Sequence, residues 1–217
     1  LSVNKEYKIK ELEAPNEYYL LEDNLKFNVS DSEELQKVEV SNEIVLKNII
    51  INKKDSETFN LINSDFSFGL FEDKKCTKLI KTANSDNNGT IFFKDLKVGI
   101  YYIKETIAPE YYKLSDKVLK VEIKADKQKG IVIDDEVQDE KNYTAEIDFK
   151  NEIQKGKIKI KKVDSADNSI KLEGIEFKIF DKQGNFIEKL ITDSNGIALS
   201  SDLRCDTDYV LIETQTI

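Results

Sequence analysis

Apolar and polar residues alternate along short stretches of this chain, and the apolar side of several stretches ends on a polar residue. In "NIIINKKD" (48–55), Ile49, Ile51 and Lys53 share one side of an extended strand. In "YYIKETIAP" (101–109), Tyr101, Ile103 and Glu105 share a side, and Lys104 and Thr106 take the other. In "YTAEIDFKN" (143–151), Tyr143, Ala145, Ile147, Phe149 and Asn151 line up. "KVEVSN" (37–42) gives Val38, Val40 and Asn42, and "KIKIKKVD" (157–164) gives Ile158, Ile160 and Lys162. These runs predict strands. Clusters such as "NSDNNG" (84–89) and "TDSNG" (192–196) predict the hairpin turns between them. No segment holds a 3.6-residue apolar period beyond one turn, so the fold class is all-β.

The stretches recur. Asn42 and Asn151 stand 109 residues apart, as do Lys53 and Lys162, and Glu105 and Glu213 stand 108 apart. "YKIKELEAP" (7–15) carries Glu11 in the place of Glu105, and "YVLIETQT" (209–216) carries Glu213. A period near 109 is the size of one small β-sandwich. It divides the chain into the C-terminal part of a first repeat (1–45), a complete repeat (46–154) and the N-terminal part of a third (155–217). Neighbouring repeats of the same chain are thus the expected partners.

Composition narrows the function. The chain has 217 residues and a net charge of −9, with 33 basic and 42 acidic residues and no basic cluster, which disfavours nucleic acid and anionic membrane as partners. Histidine is absent, so Ser-His-Asp and Cys-His hydrolases are excluded and zinc sites are disfavoured. Two cysteines, Cys76 and Cys205, make no disulfide framework. Without an initiator methionine, a signal peptide or an apolar run of spanning length, the sequence reads as a fragment or processed piece.

Each repeat therefore carries up to three inward polar residues: a lysine, a glutamate and an asparagine. Burial lowers a lysine's pKa and raises a glutamate's. A neutral lysine is a nucleophile, a protonated glutamate is a general acid, and an asparagine offers a carboxamide carbon. Together they can form an amide between Lys Nζ and Asn Cγ with loss of ammonia, the glutamate moving the proton. The residues alone leave a second reading open, a buried ion pair that never reacts.

"KIKIKKVDSADNSIKLEGIEFKI", "TDSNGIALSSDL", "YYIKETIAPEYYKL" and "IDFKNEIQKG" resemble the B-type repeats of the collagen adhesin of Gram-positive surface proteins and pilins. The resemblance covers nearly the whole chain. It implies tandem prealbumin-like, Ig-related sandwiches, with an autocatalytic isopeptide bond between first and last strands assisted by a glutamate in an ET-x-AP-x-GY box. Carried over, Lys53 is the nucleophile, Glu105 the catalyst and Asn151 the acceptor of the middle repeat. The first repeat has Glu11 and Asn42 without a lysine, and the third has Lys162 and Glu213 without an acceptor. Tyr111 and Glu17 stand where the family has its glycine. The implied function is a structural stalk segment of a secreted, cell-wall-anchored adhesin or pilin-like protein, a single-turnover cross-link rather than an enzyme, with no cofactor and no metal. The competing function is an adhesin module that recognises a host matrix protein or glycan, and an enzyme using Glu105 as general acid is a third. No membrane contact is expected for this segment.

Other features take plainer readings. Asn84, Asp86, Asn88, Gly89 and Asp95 loosely fit a calcium loop, but a hairpin turn is the better expectation. Lys54 points outward by parity. Phe66, Phe68, Phe92, Phe93 and Phe149 are expected in the core, and "DDEVQDEK" (134–141) as a solvated loop.

Overall fold

The structure, a computed structural model, describes residues 1–31, 35–86, 88–141 and 143–215. It is all-β, with no helix among the described residues. Two compact units form: residues 1–54, 60–108 and 114–150 make the first, and residues 55–59, 109–113 and 151–217 the second.

The first unit opens with a small antiparallel pair, β1 (Glu6–Ile9) and β2 (Leu25–Asn28). The sandwich strands follow: β3 (Lys47–Asp55), β4 (Ser67–Phe71), β5 (Leu79–Asn84), β6 (Thr90–Leu96), β7 (Gly99–Ile107), β8 (Val118–Ile123), β9 (Ile131–Ile133), β10 (Glu136–Val137), β11 (Glu140–Lys141) and β12 (Thr144–Asn151). One sheet has the order β10-β9-β8-β7-β4-β5 and the other β11-β12-β3-β6. Their inner faces share one core, with Ile49, Ile51 and Phe93 from the second sheet meeting Phe68, Ile103 and Val121 from the first. Period-two burial is cleanest on β3, where Lys47, Ile49, Ile51, Lys53 and Asp55 are all buried.

β12 runs parallel to β3. Asn48 Nδ2 donates to Thr144 Oγ1 (3.3 Å), Asn52 Nδ2 to Glu146 Oε1 (2.6 Å) and Lys54 Nζ to Asp148 Oδ2 (2.7 Å), so partners advance together along both strands. Lys54 therefore faces outward, as parity predicts.

The second unit contains β13 (Lys155–Gly156), β14 (Lys159–Lys161), β15 (Glu176–Asp181), β16 (Phe186–Ile191), β17 (Ile197–Leu199), β18 (Leu203–Arg204) and β19 (Tyr209–Gln215). They pair as β13-β18, β14-β17 and β16-β15-β19. Ile175, Phe177, Ile179, Leu190, Ala198 and Leu203 form its core.

The two predicted hairpin turns form alike, apart from Asn87, which lies outside the described residues. Asp86 Oδ1 accepts from the N–H of Asn88 and Thr90, both at 2.9 Å, and Asp193 Oδ1 accepts from Asn195 and Ile197 at the same distance. Gly89 and Gly196 both take positive φ (72° and 70°). Their carbonyls receive the backbone N–H of Lys53 (3.0 Å) and Lys162 (2.7 Å). A side chain at Gly89 would come within 2.5 Å of the Ile62 carbonyl oxygen, and one at Gly196 would strike the Lys162 carbonyl. The glycines thus allow each lysine-bearing strand to lie close against its hairpin.

Three expectations need correction. Residues 38–42 form no strand, and Val40 is exposed. β12, their counterpart, is bonded to β3, and the described residues of 1–45 contain no counterpart of β3 to close such a ladder. Phe92 is 44% exposed while Phe93 is buried, because adjacent residues of a strand face opposite ways. The acidic run 134–141 is not wholly solvated, since the Glu140 side chain is 2% exposed.

Candidate functional site

Lys53 lies near the end of β3 and Glu105 near the end of β7, and the lysine ammonium contacts the glutamate carboxylate. Both side chains are fully buried. Phe68 stands opposite Glu105 in the β4–β7 register. Lys53 Nζ lies 4.3 Å from the Phe149 ring centroid, 5.0 Å from that of Phe68 and 5.8 Å from that of Phe66. Phe68 and Phe149 pack edge to face at 4.9 Å. This apolar wall brings the Lys53 pKa down to about 8; desolvation is the largest cause, and the Glu105 hydrogen bond and charge oppose it. Glu105 Oε2 also accepts the Ser115 N–H at 2.8 Å, which fixes the carboxylate's orientation.

Asn151 is the last residue of β12, the strand beside β3, and is 2% exposed. Its Nδ2 donates to the Lys113 carbonyl at 2.9 Å. That bond fixes which end of the carboxamide is nitrogen, the atom that would leave as ammonia.

The first repeat reproduces the arrangement around its own residues. Asn42 Nδ2 donates to Glu11 Oε1 (2.9 Å) and Oε2 (2.7 Å) and to the Tyr19 carbonyl (3.0 Å), and Glu11 Oε2 accepts the Leu21 N–H (2.7 Å). Tyr19 and Leu21 thus correspond to Lys113 and Ser115. In the third repeat Lys162 and Glu213 pair at 2.7 Å, but their side chains are 31% and 28% exposed. The loop after each glutamate also repeats. Tyr18 N donates to the Pro15 carbonyl (3.1 Å) and Tyr112 N to that of Pro109 (3.0 Å). Glu17 and Tyr111, at the family's glycine position, take φ of 76° and 66°. The left-handed turn survives without glycine.

Two polar clusters went unread in the sequence. Lys47, at the start of β3, forms a buried ion pair with Glu140, and its Nζ lies 5.0 Å from the Tyr143 ring centroid and 5.8 Å from that of Tyr19. The Tyr19 hydroxyl is buried with no hydrogen-bond partner among the described residues, and desolvation, aided by Tyr143 and Glu140, pushes its pKa up to about 12. Lys47 shares the parity of Lys53, so the strand pattern did contain that signal. The second cluster, in the second unit, surrounds Asp55, which has the same parity. Burial alone would raise the Asp55 pKa; hydrogen bonds from Arg204, the Thr58 and Glu57 amides and the Tyr112 hydroxyl outweigh it and hold the carboxyl well below its usual range.

Among the described residues no group of three or more potential ligands could hold a metal ion. No helix of these residues is long and apolar enough to cross a membrane.

A family model, the SpaA prealbumin-like fold domain, matches residues 47–151 and again 156–217. Among solved structures, the chain is similar to the Bacillus anthracis TIE protein, with 26% identity and a TM-score of 0.66 over 97% of this chain and 40% of that one. It thus spans less than half the length of that protein. The pilus adhesin SpaC C-terminal fragment from Lactobacillus rhamnosus GG matches at 17% identity and a TM-score of 0.44, over 79% of this chain and 76% of that one. A Streptococcal ancillary pilin matches at 15% and 0.38, over 98% and 72%. The comparison with curated proteins returns no match.

Proposed function

The chain belongs to the SpaA prealbumin-like fold domain family, and on that premise we propose that it is a structural segment of a cell-surface, pilin-like protein whose middle repeat closes through an amide between Lys53 and Asn151. The observation that carries this reading is the fully buried contact between Lys53 and Glu105, walled by three phenylalanines.

The chemistry follows from the pair. In an apolar enclosure, passing the lysine proton to the glutamate exchanges two buried charges for none. Neutral Lys53 Nζ attacks Asn151 Cγ, forming the new C–N bond. Glu105 passes the proton it took from the lysine to Nδ2, the Cγ–Nδ2 bond breaks and one ammonia leaves, and the second proton of the attacking nitrogen returns to Glu105, which ends protonated. Enclosure and fixed orientation supply the proximity that an amine–amide exchange otherwise lacks. Each chain reacts once, so this is a self-modification without turnover.

The mechanical consequence gives the function. β3 and β12 are parallel neighbours, and the amide would join them near their C-terminal ends. Tension entering at the start of β3 and leaving beyond Asn151 would pass through the amide and bypass residues 54–150. An amide also withstands reducing conditions, which a disulfide does not.

Intact-mass measurement on the purified chain tests the reading: the expected mass is lower than the sequence mass by one ammonia, and a full sequence mass overturns it.

A further inference from the structure

This inference rests on the cross-link reading. We propose that Arg204, from the third repeat, is a positioning residue for the Lys53–Asn151 reaction of the middle repeat. It fastens the three segments on which the reacting groups depend, so the middle repeat's chemistry follows the docking of the third repeat's β18.

Arg204 is the only arginine among 33 basic residues. Its guanidinium donates to Asp55 Oδ2 (2.5 Å), Glu57 Oε2 (3.0 Å) and both Asp206 oxygens (3.1 and 2.9 Å). Asp55 follows Lys53 by two residues, and its side chain is 3% exposed. The Tyr112 hydroxyl donates to the same Asp55 Oδ2 at 2.8 Å, so the carboxylate ties segment 55–59 to segment 109–113. The third segment begins at Asn151. Ser56 N donates to the Asn151 carbonyl (3.0 Å), Lys113 N to that of Glu152 (2.9 Å), and Gln154 N to that of Tyr111 (2.7 Å). Asn151 Nδ2 completes the weave on the Lys113 carbonyl.

Arg204 is itself held by this weave. It pairs with Lys155 in the β13–β18 register, and Cys205 N donates to the Gln154 carbonyl at 2.9 Å. Lys155 Nζ contacts Glu57 at 2.6 Å. A planar, multi-donor cation suits the junction, because one guanidinium serves three carboxylates at once, which an ammonium cannot do with the same geometry. Removing it leaves the buried Asp55 carboxylate without its cation. The segments that present Asn151 and follow Lys53 would then lose their common anchor.

The test uses the full chain, collected in urea before it folds, diluted into native buffer and followed by intact mass. Wild type is expected to lose ammonia fastest. Arg204→Ala should slow the loss by about 100-fold, the scale for a small misplacement of reacting groups. Arg204→Lys should fall between them, and added guanidinium ion should restore part of the Arg204→Ala rate, a rescue that a general loss of folding would not show. Hydrogen exchange at the Ser56, Lys113 and Gln154 amides reads the fastening itself and should accelerate at least tenfold in Arg204→Ala. An Arg204→Ala chain that cross-links at the wild-type rate overturns the proposal. A wild-type chain that never loses ammonia sinks the cross-link reading instead. Exchange then decides on Arg204 alone, and unchanged protection at the three amides overturns its role.

Discussion

Lys47 and Lys53 point to the same side of β3, six residues apart, and each meets a glutamate out of contact with solvent. Their surroundings differ. Lys47 and Glu140 lie against Tyr19 and Tyr143, whereas Lys53 and Glu105 lie among three phenylalanines, on the strand whose neighbour ends in the Asn151 carboxamide. The first pair is a buried salt bridge. The second has an electrophile and a leaving group available in the sheet.

The cross-link should depend on each member of the triplet separately. Lys53→Ala, Glu105→Ala and Asn151→Ala should each return the chain to its full sequence mass. Lys47→Ala should still lose one ammonia. Ammonia loss from an Asn151→Ala chain would mean that another carboxamide is the acceptor.

Under force, the cross-linked middle repeat should release far less chain than its length allows. With Lys53 joined to Asn151, residues 54–150 would stay inside the covalent loop, which would hide about 300 Å of extended chain. Single-molecule pulling should show that length appearing only in Glu105→Ala. In solution, closing a loop of about a hundred residues should add about 4–5 kcal/mol, by analogy with a disulfide of that span. Chemical denaturation of the wild type against the uncross-linked variant checks this.

The rate of ammonia loss should rise as pH climbs toward about 8. Desolvation brings the Lys53 pKa down to about 8, so the amine becomes increasingly neutral and nucleophilic as pH rises through this value. A rate that stays flat from about pH 6 to about pH 9 would show that loss of the Lys53 proton does not limit the reaction.

The Lys47–Glu140 pair should matter to stability rather than to chemistry. Lys47→Ala leaves a buried carboxylate and should cost about 3–5 kcal/mol in urea unfolding. Replacing both partners with apolar residues, as in Lys47→Met with Glu140→Leu, should recover most of that loss. If the double variant is as unstable as the single, the pair is worth more than the removal of a stranded charge.

Gly89→Ala should destabilise the hairpin under Lys53 by about 1–2 kcal/mol for the left-handed backbone alone, with the close approach to the Ile62 carbonyl adding to it. Thermal unfolding gives the size of the effect.

The alternation of β3, β7 and β12 was legible because inward residues of a half-buried strand recur every second position whatever surrounds them. That rule places Lys53, Glu105 and Asn151 inside and Lys54 outside. It failed where the outcome depended on partners. Residues 38–42 carry the right pattern yet form no strand, because the ladder needs a second strand that the described residues of 1–45 do not supply. Phe92 and Phe93 were both assigned to the core by hydrophobicity, although adjacent positions cannot share a face. Glu140 sits in an acidic run that reads as solvated, and only the return of the chain past Lys47 gives it a reason to be buried.

The sequence by itself determined the alternation of β3, β7 and β12, the 109-residue period and the three inward polar residues of the middle repeat, since all of these follow from alternation and spacing along the chain. The tertiary structure alone decided which charges meet. The Lys53–Glu105 contact, the phenylalanine wall that lowers the lysine's pKa, the Lys113 carbonyl that orients the Asn151 carboxamide and the convergence of Asp55, Tyr112 and Arg204 join residues from 13 to 149 positions apart along the chain. Desolvation and hydrogen-bond geometry depend on what lies across the fold, and no period in the chain encodes that.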